Sequence, residues 1–375
     1  MKNQISVLMA ALMLLSFDVP ALRAQGSLTP SGPPGPAMLT LSQVEPRIPV
    51  DAIHTPASSS AEFAISNSGS YYLTTNIVVT SGGVSAVYIA TNNVTLDLNG
   101  FSLLSPSSVG AYGVYIQSGC TNICVHDGLI SGWAQYGIFS GGANVVLDRL
   151  TVSGDAGGIN LSGAGRCIVR NSIINGNVGS GINCSENNVT FEDLMISSND
   201  PGFNITGVAS GVIKDCTVNE NVSEGIDCVS ATNMTIQNLT ISHNNGYGMS
   251  LSGFQNSSVS DCKVNGNANN TGIYLSGSSC FIIGNSFSGN GNSIYVQGAN
   301  NQIDGNRVNG SNPSAVGIWI NNAPGVTNNM VMRNFVTGYG ANDYSLGTGQ
   351  IAGPIITNAV SGIITNSNPW ANFSF

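Results

Sequence analysis

GIDCVSATNMTIQNLTISHNN, residues 225–245, sets three short runs of apolar and β-branched residues between asparagines and carries a single carboxylate. Runs this short suit strands, whereas asparagine tolerates the left-handed backbone of a tight corner and bonds to neighbouring amides. Alternation within a run such as Leu239-Thr240-Ile241 turns one apolar set inward, and Leu194 and Ile196 do the same two cycles earlier. A single segment of this kind has nothing to bury those side chains against. Stacked copies share an interior, with each backbone pairing above and below.

The copies are present. Aligning on a glycine followed by an apolar, a variable and an apolar residue gives starts at Gly113, Gly137, Gly158, Gly181, Gly202, Gly225, Gly248, Gly272, Ser293 and Gly317, spaced by 21 to 24 residues. A second column, read as the residue at a corner between strands, runs Asp127, Arg149, Asn171, Asp193, Asp215, Asn238, Asp261, Asn285, Asn306 and Asn334. A third holds Asn177, Asn199, Asn221, Asn244 and Asn267. The expected fold is all-β: a parallel solenoid of about 11 coils with three strands per coil, ~50 Å long at ~4.8 Å per coil. Leucine-rich repeats share the period but need regularly placed leucines, which are missing.

Composition agrees. Gly, Asn, Ser and Thr stand where helix formers would otherwise be common. With 10 Lys+Arg against 19 Asp+Glu, net charge −9 and only 8% of residues charged, no basic surface is available for a phosphate backbone, which argues against nucleic acid. The expected organisation is a signal peptide over 1–24, a Pro-rich linker or arm over 25–60, the solenoid over 61–342 and a C-terminal cap over 343–375. The apolar stretch Ile5–Phe17 behind Lys2 is too short to span a bilayer, so the mature chain is expected to be secreted, not integral to a membrane, and monomeric.

Here the sequence resembles the right-handed parallel β-helix proteins of the pectin-lyase-like superfamily. The likeness covers roughly residues 61–342 and rests on the coil length, NVTLDLNGF at 93–101 and asparagine ladders such as NGN at 175–177 and 265–267. VEPRIPV, GSYYLTTNI and NPWANF resemble secreted β-helix repeat proteins of environmental bacteria. The resemblance implies a right-handed turn and a first sheet that lines a polysaccharide groove.

On that sheet the outward residue two after each aligning glycine reads Tyr115, Phe139, Asn160, Asn183, Asn204, Asp227, Ser250, Tyr274, Tyr295 and Trp319. Aromatics thus flank an amide-rich middle, a pattern suited to stacking on sugar rings and bonding their hydroxyls. The plainer reading is that aromatics favour exposed strands and that asparagine is abundant throughout. Glu186, Glu224, Asp227 and His243, with Glu220 and Tyr247 nearby, are the candidates for acid and base chemistry, which needs two groups converging on one bond. The motifs of the enzymes in the superfamily are absent: there is no Asp-Asp pair, no Gly-His-Gly and no Arg-Ile-Lys. No arginine lies between Arg170 and Arg307. No cofactor is expected, and Ca2+ is indicated by no motif. The expected activity is polysaccharide or cell-surface glycan binding, the alternatives being a polysaccharide lyase, hydrolase or epimerase, or a structural, adhesive surface protein.

Two further columns have structural readings. His126, Asp148, Arg170, Glu192, Lys214 and Gln237 stand just before the corner, so four coils alternate in sign and disfavour register slips. Of eight cysteines, Cys184 with Cys228 and Cys216 with Cys262 recur at inward positions two coils apart, ~10 Å and beyond disulfide reach. Cys120 and Cys124, flanking a turn, form the pair expected to bond if any does. The many Asn-x-Ser/Thr triplets arise from corner asparagines ahead of β-branched strands.

Overall fold

The computed structural model describes residues 47–163, 165–267, 270–339, 342–357 and 366–375. The expected signal peptide and residues 25–46 of the arm lie outside them. Among the described residues all regular structure is strand, and no helix is long and apolar enough to cross a membrane. The strands form three parallel sheets wound by one right-handed path of about 13 turns, two more than the expected 11 and three more than the ten aligned starts. The extra turns come where the alignment has no glycine to start from: Ala61–Ile65 and Ser85–Ile89 open the first sheet, and Tyr344–Leu346 closes it. Strands of the same sheets also lie ahead of residue 61, at Ile48–Pro49 in the second sheet, and beyond residue 342, at Ile351–Ala352 in the second and Asn372–Ser374 in the third.

Register follows the repeat. In the first sheet Asp227 pairs with Asn204 below and Ser250 above, and in the third Ile241 pairs with Val218 and Val264. Asn238 donates to Asp215 Oδ1 at 2.7 Å, so residues 23 apart in sequence are neighbours in space. Leu194, Ile196, Leu239 and Ile241 are all buried, as alternation requires.

The glycine column and the asparagine column explain each other. A Cβ on Gly225 would lie 2.7 Å from the carbonyl of Gly248 and 2.8 Å from Asn244 Nδ2; on Gly202 it would lie 2.6 Å from the Gly225 carbonyl and 2.9 Å from Asn221 Nδ2. Glycine stands where a ladder asparagine turns inward beneath the next coil. In that ladder the backbone N–H of each member is accepted by the side-chain oxygen of the next: Asn177 to Asn199 (3.2 Å), Asn199 to Asn221 (3.0 Å), Asn221 to Asn244 (3.1 Å), Asn244 to Asn267 (3.0 Å) and Asn267 to Asn290 (3.1 Å). All six side chains are buried, so the ladder satisfies corner amides that water cannot reach.

The corner column needs one correction. Its left-handed residues run from Asp127 through Asp261 and continue as Gly284, Gly305 and Arg333. Asn285, Asn306 and Asn334 stand one residue later, buried, in line with Cys262: each takes a neighbouring backbone N–H, Cys262 to Asn285 and Asn285 to Asn306 both at 3.0 Å. Asparagine serves both places, once for its backbone freedom and once for its amide, so spacing alone does not separate them.

All eight cysteines are free. Cys184 and Cys228 lie on either side of Ile205. Burial pushes the thiols of Cys184, Cys216 and Cys262 up to about 12. The one candidate disulfide, Cys120–Cys124, is not formed. Cys120 faces inward, whereas Cys124 faces outward on the strand Thr121–Ser131, paired with Thr95 and Val146, so alternation separates the two sulfurs. An alkylating reagent under native conditions is therefore expected to label Cys124 alone among the eight, and Cys124→Ser to abolish fast labelling; mass spectrometry of the modified peptides reads the outcome.

Candidate functional site

The outward column of the first sheet is continuous. Its register runs Tyr88, Tyr115, Phe139, Asn160 at the N-terminal end, through Asn183, Asn204, Asp227 and Ser250, to Tyr274, Tyr295 and Trp319. Tyr88 belongs to it although no glycine marks its coil.

The aromatic residues gather into two clusters. In the first, Tyr115 stacks on Phe139 with centroids 5.0 Å apart and planes within 8°, and Tyr88 and Tyr112 lie 5.4 and 5.1 Å from Tyr115. Tyr88 donates to Gln117 Oε1 at 2.9 Å, and Tyr112 bonds Gln135. In the second, Trp319 stacks on Tyr295 at 4.2 Å, and Tyr274 stacks on Tyr247 at 5.4 Å. Tyr274 donates to Gln297 Oε1 at 2.8 Å, and Asn321 donates to the Tyr295 hydroxyl at 3.0 Å. These bonds fix the phenol ends, which leaves edges and faces for a ligand. A cleft of about 300 Å3 opens beside Tyr88, Tyr112 and Tyr115, and one of about 320 Å3 beside Tyr247, Tyr295 and Trp319.

Between them, Asn160 follows Phe139 in the column. The residue is 8% exposed, and its Oδ1 is buried with no hydrogen-bond partner among the described residues. An acceptor left so beside an aromatic platform costs stability unless something donates to it. Asn183, Asn204, Asp227 and Ser250 are half-buried.

The candidate acid and base residues are not gathered on this face. Glu186 lies beyond the end of Ile182–Cys184, buried, with its carboxylate turned under the neighbouring coil. It bonds the Gly163 N–H and receives the Cys167 thiol at 2.7 Å. Burial raises its pKa. Glu224 stands on the opposite edge of the sheet, its Oε1 packed toward Gly246, and His243 is exposed at a left-handed corner after Thr240–Ser242. Among the described residues no hydrogen bond or ion pair joins Asp227 to Glu224 or His243, nor Glu220 to His243. Alternation does not reach corner residues, so the inward turn of Glu186 leaves no mark on the sequence.

The charged column lies on the second sheet. Asp148, Arg170, Glu192 and Lys214 are consecutive register partners, with Arg170 bonding Asp148 at 3.2 Å and Lys214 bonding Glu192 at 2.5 Å. Arg149, in the corner column, lies over Asp127 and holds both its oxygens, at 2.6 and 2.8 Å. That bidentate contact pulls the Asp127 carboxyl down to about 2. Asp97, His126 and Asp127 offer ligand atoms within 4.8 Å of one another, but Arg47 and Arg149 already pair with the two carboxylates. The group is a link in an ion-pair ladder.

The model for the right-handed β-helix region matches residues 85–238 and 136–281, more than half of the chain. The chain belongs to that family. No curated protein is detectably similar in sequence. Among solved structures, the chain is similar to the Dettilon tailspike protein gp208 (TM-score 0.54, 18% identity, covering 79% of this chain and 60% of that one). It is similar also to the A-module of mannuronan C-5 epimerase AlgE6 of Azotobacter vinelandii (0.53, 14%, 71% and 80%). A third likeness is to the N-terminal fragment of gene product 12 of bacteriophage Phi29 (0.56, 14%, 80% and 64%). The chain thus spans less than two thirds of the tailspike protein and of the gene product 12 fragment. At these identities the likeness concerns the fold.

Proposed function

We propose that this protein binds polysaccharide on the outward face of its first sheet. The observation that carries the reading is the single column in which two stacked aromatic clusters bracket half-buried amides and hydroxyls: flat apolar faces for sugar rings, with acceptors and donors for their hydroxyls. The AlgE6 module, whose name places it on mannuronan, supports a glycan as partner for this kind of coil stack. Among the described residues no pair of converging carboxylates accompanies the column, which favours binding over cleavage. The same reading takes residues 1–24 as an export signal and places the monomeric protein outside the cytoplasm, where cell-surface or environmental glycan is met.

Retention of the full chain on immobilised polysaccharides tests it. Tyr295→Ala with Trp319→Ala is expected to weaken binding of the retained glycan at least tenfold, while Trp370→Ala, outside the column, leaves it unchanged. Retention on none of a broad panel of neutral, acidic and basic glycans rejects the proposal.

A further inference from the structure

Resting on that reading, we infer that the two aromatic clusters are the ends of one track for a single uncharged glycan chain lying along the axis of the stack. Phe139 and Tyr274 are six register steps apart in the same column, ~29 Å at ~4.8 Å per coil. A pyranose unit advances an extended chain by about one coil spacing. A chain touching both clusters therefore needs about one sugar per coil, on the order of seven units, and a shorter chain engages one end only.

Charge selects the class of glycan. Lysine and arginine are absent from every described strand of the first sheet and from the described corner segments that lead into it from the third sheet. Arg166, exposed at the turn into the second sheet, is the one cation on its other flank. Of the described cations, Arg47, Arg149, Arg170 and Arg333 pair with carboxylates of the second-sheet side, as does Lys214, and Lys263 and Arg307 sit on the third sheet. The middle of the track carries acid instead: Asp227 in the column, with Asp200, Glu220 and Glu224 along its leading edge. A polyuronate laid there would meet like charge over consecutive coils with no counter-charge. A neutral chain meets the half-buried amides of Asn183 and Asn204 and the Ser250 hydroxyl, each able to pair with a sugar hydroxyl. The track so described differs in charge from what a mannuronan-directed surface requires.

Matched polymers differing only at C6 give the test: β-1,4-mannan against β-1,4-polymannuronate, and β-1,4-glucan against β-1,4-polyglucuronate, with chitosan as the cationic arm, all on the full chain by affinity electrophoresis. A neutral member is expected to be retained at least tenfold more strongly than its uronate, with Asp227→Asn narrowing the gap. For the retained sugar, affinity is then measured by calorimetry over oligomers of two to ten units. It is expected to rise in two stages, the second near seven units and removed by Tyr115→Ala with Phe139→Ala, which leaves short-oligomer binding at the Tyr295–Trp319 end. Stronger retention of a uronate or of chitosan overturns the uncharged-glycan assignment while leaving glycan binding standing. A plateau by about four units overturns the two-ended track. Retention of nothing overturns the proposed function itself.

Discussion

Asp155→Asn is expected to make the protein more stable at pH 9, by an amount on the order of 5 kcal/mol, and to change it little near pH 4. Asp155 occupies the ladder position one coil before Asn177. Its Oδ1 accepts the Trp133 N–H at 2.8 Å, and its own N–H is accepted by Asn177 Oδ1 at 3.0 Å. The other oxygen is buried with no partner among the described residues, facing Gly137. Burial pushes this carboxyl up to about 8 from 3.8. Between those values the folded chain keeps a proton that the unfolded chain releases, so stability falls as pH rises, by about 1.4 kcal/mol per unit, until the folded group ionises too. Asparagine cannot ionise and puts an amide donor where the orphan oxygen stands. By register the carbonyl of Ile130 lies where Val152 lies for Asn177, and it can receive that donor. Urea melts of the two proteins at pH 4, 6, 8 and 9 check the sign. Parallel pH profiles contradict it.

The second large effect is a loss. Asn221→Ala is expected to destabilise the protein by about 3–5 kcal/mol. Asn221 Oδ1 accepts the Asn199 N–H, and its Nδ2 donates to Asn244 Oδ1 at 2.8 Å. Truncation leaves a buried amide hydrogen unsatisfied and opens a void between coils, and neither is reachable by water. Asn245→Ala, whose exposed side chain takes no part in the ladder, is the control, with an expected change under about 0.5 kcal/mol. Equal urea midpoints for the two variants would show that the ladder contributes nothing beyond strand pairing.

How far the sequence could be read depended on which physical constraint each residue obeys. Inward strand positions obey alternation, so Leu194 and Ile241 fell where expected, and so did the outward column from Tyr115 to Trp319. The aligning glycines were visible because only a missing Cβ lets a ladder amide sit beneath the next coil. Four things were not legible. The coil holding Tyr88 has Ala86 where others have glycine. Asn285, Asn306 and Asn334 share a residue type with the corner column although they answer to hydrogen bonding instead of backbone handedness. The burial of Glu186 and the ladder role of Asp155 depend on how a corner folds inward, which no periodicity records. The tilt of Tyr112 over Tyr115 and Phe139 is likewise a matter of side-chain packing between coils.

Hydroxyl-radical footprinting of the full chain, with and without the polysaccharide it retains, tests the first-sheet face most directly. Joint protection of Tyr115, Phe139, Tyr295 and Trp319, with Trp370 and Phe375 oxidised equally in both states, is the predicted result. Protection confined to residues of the second or third sheet, with both aromatic clusters as reactive as before, would contradict it.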